Sequence, residues 1–64
     1  MSKITKQQIT TEKNNTPVGF ASWCWAAGIR YDEYQARATE RGIPPLKEED
    51  FNYIWNWWEE QYYA

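Results

Sequence analysis

The chain has 64 residues, a formal net charge of −2 and an aromatic content of 19%. A chain of this length forms one small domain whose single core is only marginally sufficient, so a stand-alone enzyme is not expected. Histidine is absent and Cys24 is the only cysteine, which excludes an internal disulfide, histidine metal sites and Ser-His or Cys-His nucleophile pairs. The three glycines stand far apart and no EF-hand spacing occurs, so no nucleotide, cofactor or metal is expected.

The apolar runs are far shorter than the roughly 20 residues that span a bilayer, so no membrane partner is expected. The sequence begins MSKITKQQ, which does not resemble a secretory signal. Together with the single cysteine, this predicts a cytoplasmic protein in a reducing compartment.

Residues 1–16 are polar, with Ile4 and Ile9 as the large aliphatic residues after Met1. No hydrophobic period is evident, so we interpret this segment as a flexible arm, with a short edge strand around residues 4–10 as the alternative. Residues 17–64 are predicted to form a single three-helix domain.

The first predicted helix runs from Pro17 to about Ala27. Thr16 provides a side-chain oxygen for the N-cap, and proline is favoured in the first helical turn. Phe20, Trp23, Cys24 and Ala27 share one face, whereas Trp25 points elsewhere. Gly28 then ends the helix.

The second predicted helix runs from about residue 31 to residue 41, and Gly42 closes it. Its apolar stripe contains Tyr31, Tyr34 and Ala38. Pro44 and Pro45 follow and forbid a helix at that point, so they predict a stiff, extended connector.

The third predicted helix spans about residues 46–62 and opens with acidic residues, which suit the positive end of the helix dipole. Its stretch FNYIWNWWEEQYY places seven aromatic residues in thirteen positions. At about 100° per residue, part of this set forms one core-facing stripe. The sequence therefore predicts an all-α fold with a core of Phe20, Trp23, Tyr34, Phe51, Ile54, Trp55, Trp58 and Tyr62.

Tyr53 and Trp57 project from nearly the opposite side of this helix. Residues 43–64 carry Lys47 against five carboxylates, a net charge of −4, so these two aromatics lie in acidic surroundings. They are either covered by this chain or exposed as a protein-binding surface, and an acidic rim favours a basic partner. In a homodimer, two copies would cover each other's Trp57. The predicted partner-binding residues are Tyr53, Trp57, Glu49, Asp50, Glu60 and Trp25.

Residues 22–41 indicate an alternative to the protein-binding function. The segment SWCWAAGIRYDEYQARA resembles a helix-turn-helix, and the following RGIPPLKEEDFNYI is similar to small winged-helix DNA readers of the excisionase and MerR-like kind. That resemblance implies a DNA-binding accessory protein in which Arg30, Arg37 and Arg41 contact DNA. The sequence departs from the pattern because the second helix is also acidic and the domain lacks a basic face.

The function that the sequence favours is a small, non-enzymatic protein-interaction module that binds a larger protein through its acidic, aromatic-rich C-terminal helix. An inhibitor or adaptor encoded by a virus or mobile element is one such role. That origin rests on size and the lack of catalytic motifs alone.

Overall fold

The computed structural model describes residues 4–63, so the ends of the predicted arm and domain, residues 1–3 and 64, lie outside it. Four helices are present: α1 (Lys6–Thr11), α2 (Pro17–Ala27), α3 (Tyr31–Glu40) and α4 (Glu48–Tyr63). Residues 4–63 contain no strand, which confirms the all-α prediction. The three longer helices match the predicted ones to within two residues at each end. Within the same range, no helix has the length and apolar character needed to cross a bilayer.

The segment predicted as a flexible arm contains the short helix α1, which corrects that prediction and also excludes the edge strand. Thr5 and Gln8 form a capping box, in which each side chain accepts a hydrogen bond from the other's backbone N–H. Ile9 is buried in the core. This single apolar anchor holds α1 against α2, since the rest of the helix is polar.

Helix α2 lies at the centre of the molecule and contacts all three other helices, α4 most extensively. The Thr16 side chain accepts a hydrogen bond from the Gly19 N–H at 3.1 Å, as its predicted N-cap role requires. Gly28 ends the helix with φ of 76°, a left-handed conformation in which glycine carries little steric cost. The predicted start and end signals of this helix are thus confirmed.

The connector between α3 and α4 is held by two tyrosines of α3. The buried Tyr34 hydroxyl donates to the Pro17 carbonyl at 3.1 Å and accepts from the Leu46 N–H at 3.1 Å. Tyr31 donates to the Leu46 carbonyl at 2.9 Å. Both backbone polar groups of Leu46 are therefore satisfied by side chains, which fixes the path of the chain after the prolines.

A second polar link joins α1, α2 and α4. The indole N–H of Trp58 donates to the Ser22 hydroxyl at 2.9 Å. Ser22 is in turn within hydrogen-bonding distance of the carbonyls of Val18 and Ile9, at 3.3 and 3.4 Å. The half-buried Trp58 is thereby oriented by a hydrogen bond as well as by packing.

The observed core differs from the predicted one at its edges. Trp23 was expected inside but is 38% exposed, because it lies flat on Phe20 at the margin of the core with Arg41 above both rings. Tyr62 was also expected inside but is 71% exposed, because α2 ends two residues after Trp25 and supplies no further side chain to cover it. Trp55 and Trp58 are half-buried against the core. The buried set is Ile9, Val18, Phe20, Ala21, Cys24, Tyr34, Ala38, Ile43, Phe51 and Ile54.

Replacing Gly19 by alanine tests the close approach between α2 and the chain that precedes it. A Cβ at Gly19 would overlap the backbone carbonyl of Lys13. On helix propensity alone Gly→Ala stabilises by about 1 kcal/mol, whereas steric overlap with backbone destabilises by about 1–3 kcal/mol. We expect the free energy of unfolding in urea to fall. A rise would contradict this close approach of the two backbones.

Replacing Tyr34 by phenylalanine removes one hydroxyl and leaves the Leu46 N–H without its partner. We expect a loss of about 1–3 kcal/mol in the free energy of unfolding, the cost of a buried unsatisfied donor. For a domain of this size, each kcal/mol lost lowers the melting temperature by about 4–8 °C. Tyr53→Phe serves as the matched control, because Tyr53 is exposed and its hydroxyl makes no hydrogen bond within residues 4–63.

Candidate functional site

The predicted partner-binding residues of α4 lie on what we call the Tyr53 face, formed by Glu49, Asp50, Tyr53, Trp57 and Glu60. Tyr53 is 43% exposed, whereas Trp57 is half-buried and packs edge-on against Trp58 with ring centroids 4.8 Å apart. Glu49 and Glu60 are exposed and Asp50 is half-buried. Of the two aromatic side chains, this face therefore presents Tyr53 well exposed, whereas this chain partly covers Trp57.

Trp25, predicted as part of the same surface, lies on the other flank of α4. Its ring stacks on Trp58 with centroids 5.6 Å apart and meets the ring of Tyr62 edge-on at 5.7 Å. Its indole N–H donates to the Glu59 carboxylate at 3.4 Å. Trp25 and Trp55 line the same cavity. Because Trp55 and Tyr53 point about 160° apart around the axis of α4, Trp25 lies away from the Tyr53 face.

An open cavity of about 380 Å³ lies at this second flank, between the ends of α2 and α4. Tyr62 and Tyr63 are 71% and 72% exposed, the most exposed large hydrophobic side chains among residues 4–63. Glu59 supplies the only charged side chain of its lining. We call this cavity the tryptophan notch; its lining residues are Trp25, Ala26, Trp55, Glu59, Tyr62 and Tyr63.

A second cavity of about 460 Å³ continues along the same flank of α4 towards its N-terminus. It shares Trp55 and Glu59 with the notch, so the two cavities lie next to each other. Its charged lining residues are Arg30, Asp32, Glu48 and Glu59, a net charge of −2. The side-chain amides of Asn52 and Asn56 line it as well, and we therefore call it the amide groove. Its remaining lining residues are Tyr31, Phe51 and Trp55.

Trp55 stands between the two cavities and already contacts a cation. The guanidinium carbon of Arg30 lies 4.6 Å from the centroid of the Trp55 ring, within the range of a cation–π contact. Arg30 lines the amide groove but not the notch. The guanidinium therefore approaches Trp55 from the side of the groove.

The carboxylate of Glu59 lacks a cationic partner within residues 4–63. In that part of the chain the ion pair between Glu33 and Arg37 of α3 is the only one with nitrogen and oxygen atoms within 4.0 Å. Glu59 instead accepts from the Trp25 indole and is half-buried between aromatic rings. Its negative charge is thus partly withdrawn from water without being neutralised.

The arginines assigned to the DNA-binding alternative all have partners within the chain. Arg37 pairs with Glu33, Arg30 lies over Trp55, and Arg41 lies over Phe20 and Trp23, 4.9 and 5.7 Å from their centroids. Helices α2 and α3 are joined through Gly28, as in the predicted helix-turn-helix. DNA binding stays a prediction.

Cys24 offers little nucleophilic chemistry in its surroundings. The side chain is fully buried, and burial raises the pKa of its thiol from 9.0 to about 11 although Arg37 and Arg41 act in the opposite direction. A thiol that stays protonated at neutral pH is a poor nucleophile. Between residues 4 and 63 no three His, Cys, Asp or Glu side chains cluster so as to hold a metal ion.

The sequence pointed to Trp25 but missed the rest of the notch. Trp55 and Tyr62 fit the apolar period of α4 and were assigned to the core, and Glu59 and Tyr63 carried no signal beyond their residue types. One available signal was the difference in helix length, since α4 has 16 residues and α2 has 11. A longer helix leaves its last turn uncovered unless another element reaches it.

Comparisons with known proteins give no relative from which a function could be transferred: no protein-family profile, curated protein sequence or solved structure matches this chain.

The raised pKa of Cys24 predicts that stability falls at alkaline pH. The unfolded chain loses the thiol proton near pH 9.0, whereas the native protein keeps it to about pH 11. The contribution of the protonated Cys24 thiol to stability is thus fully present below pH 9.0 and is lost between pH 9.0 and about 11. The free energy of unfolding in urea should decline less across this interval in Cys24→Ala than in the wild type. The decline that remains is due to Tyr34, whose pKa is also raised by burial. An equal decline in both proteins would contradict the assignment.

Proposed function

We propose that this protein is a non-enzymatic interaction module that binds a larger protein through the acidic, aromatic surface of α4. The observation that carries the proposal is the pair of exposed tyrosines, Tyr62 and Tyr63, at the rim of the tryptophan notch. Tyrosine and tryptophan are both enriched among the residues that anchor protein interfaces. A contiguous patch of them on a small protein is typical of a contact surface.

The charges around this surface support a basic partner. Glu59 lies in the notch, Glu48 and Asp32 line the adjoining groove, and Glu60 is exposed one position further along α4. An acidic rim around aromatic anchors speeds the encounter with a positively charged surface and disfavours an acidic one. The module would act by occupying that surface, as an inhibitor or adaptor does.

The absence of histidine from the sequence and the buried, protonated thiol of Cys24 support a role without catalysis. The alternative of a DNA-binding accessory protein is not favoured by a specific contact. Arg37 is paired with Glu33, and α3 also carries Asp32 and Glu40.

The proposal is tested by affinity capture from a lysate of the source organism, with mass spectrometry of the retained proteins. The wild-type chain is compared with the double variant Tyr62→Ala, Tyr63→Ala. Because both side chains are more than two-thirds exposed, circular dichroism and the melting temperature should stay nearly unchanged. We expect the partner to be retained by the wild type and lost, at least tenfold, with the double variant.

The matched control is Thr39→Ala, Glu40→Ala, which alters two exposed residues of α3 far along the chain from the notch. It should retain the partner. Tyr53→Ala tests the other face of α4. If this variant alone fails to retain the partner, the interface lies on the Tyr53 face. Equal retention by every variant would remove α4 as the binding surface.

A further inference from the structure

We propose that the tryptophan notch binds an arginine side chain of the partner protein, with the guanidinium between the aromatic walls and the carboxylate of Glu59. This inference rests on the proposed function and names the chemistry that the site recognises. Three observations support it: a charge without an ion-pair partner, ring surfaces that line the notch and an example of the same contact elsewhere in the chain.

The charge comes from Glu59. Its carboxylate accepts from the Trp25 indole, and within the described part of the chain no lysine or arginine nitrogen lies within 4.0 Å of it. A half-buried anion flanked by rings is poorly solvated, so a cation that enters the notch gains more than it would on an open surface. A neutral or acidic ligand would leave Glu59 uncompensated.

The rings provide the second feature. One face of Trp25 is stacked on Trp58 and Tyr62 meets the ring edge-on, so a ligand reaches Trp25 through the part of its ring that lines the notch. Trp55, Tyr62 and Tyr63 complete the walls. Aromatic faces carry partial negative charge, and tryptophan attracts cations most strongly of the three aromatic residue types. A cavity of about 380 Å³ lies at the lower end of the usual range for ligand sites, which suits a single side chain.

The third feature is the contact between Arg30 and Trp55, which shows a guanidinium held against this ring at 4.6 Å. It occupies the groove side of Trp55, and the notch on the other side has no such occupant within residues 4–63. Guanidinium is favoured over ammonium because it is planar, stacks on rings and can pair with a carboxylate at the same time.

The amide groove extends the site along α4. From Glu48 to Tyr63 the flank measures about 22 Å at 1.5 Å per residue, which is the span of roughly six or seven residues of extended chain. Asn52 and Asn56 face this groove and offer donors and acceptors to a peptide backbone. A segment with arginine in the notch can therefore continue beside Asp32 and Glu48.

The test is a two-dimensional NMR titration of the purified chain with a blocked Gly-Arg-Gly peptide. The five tryptophan indole N–H signals serve as reporters. We expect the signals of Trp25 and Trp55 to shift in a saturable way, and that of Trp23 to stay in place. In parallel titrations the arginine of the peptide is replaced by citrulline, which is neutral and of nearly the same shape, by lysine or by proline. Citrulline and proline should produce no saturable shift, and lysine should bind more weakly than arginine.

The decisive variant is Glu59→Gln, which keeps the shape of the side chain and an acceptor for the Trp25 indole. Its affinity for the arginine peptide should fall about tenfold, the loss expected for one charge-assisted contact. Glu60→Gln removes the same charge from the neighbouring, exposed position and controls for net charge. It should bind the peptide almost as well as the wild type.

Equal shifts with arginine and citrulline, or equal losses in the two glutamine variants, would overturn the proposal. Concentration-dependent shifts of Trp25 and Trp55 without peptide would show that a second copy fills the notch instead, and saturable binding of the proline peptide would show a proline-rich occupant. If capture of the partner survives in Glu59→Gln but is lost in the tyrosine double variant, the interaction module stands and arginine is not its ligand.

Discussion

The hydroxyl group of the buried Tyr34 is the point on which the rest of the fold depends. It joins three parts of the chain that are distant in sequence, because it donates to Pro17 at the start of α2 and accepts from Leu46 after the prolines. The ring contacts Phe20 and Phe51, with centroids 5.7 and 4.7 Å away. A small domain with few large core residues gains much from one side chain that packs and hydrogen-bonds simultaneously.

The candidate site follows from this constraint. Fixing Leu46 determines where α4 starts and which residue of its first turns meets Tyr34, namely Phe51. Once Phe51 is inside, the helical period places Trp55 and Glu59 on the flank beside Arg30 and Trp25. The notch is thus a consequence of the α4 register, and the Trp58–Ser22 hydrogen bond secures that register near the other end.

The errors in the predicted fold have physical causes. Helix α1 was missed because a single buried residue, Ile9, gives no period, although Thr5 and Gln8 spell the capping box that starts it. Trp23 and Tyr62 were placed in the core because a period predicts which side of a helix faces inward, not how far the neighbouring elements extend. Whether this chain covers Trp57 was left open by the sequence; its ring packs against Trp58, since one bulky side chain can reach around the helix.

The sequence by itself determined the all-α class, the bounds of the three longer helices and the surplus of aromatic residues in α4. These properties are local, because caps, prolines, glycines and the apolar period act within a few turns. Only the tertiary structure decided which aromatic side chains the surplus comprises. Exposure of Tyr62 and Tyr63 and the juxtaposition of Trp25 with Glu59 depend on the length of α2 relative to α4 and on their packing, which join residues more than 30 positions apart.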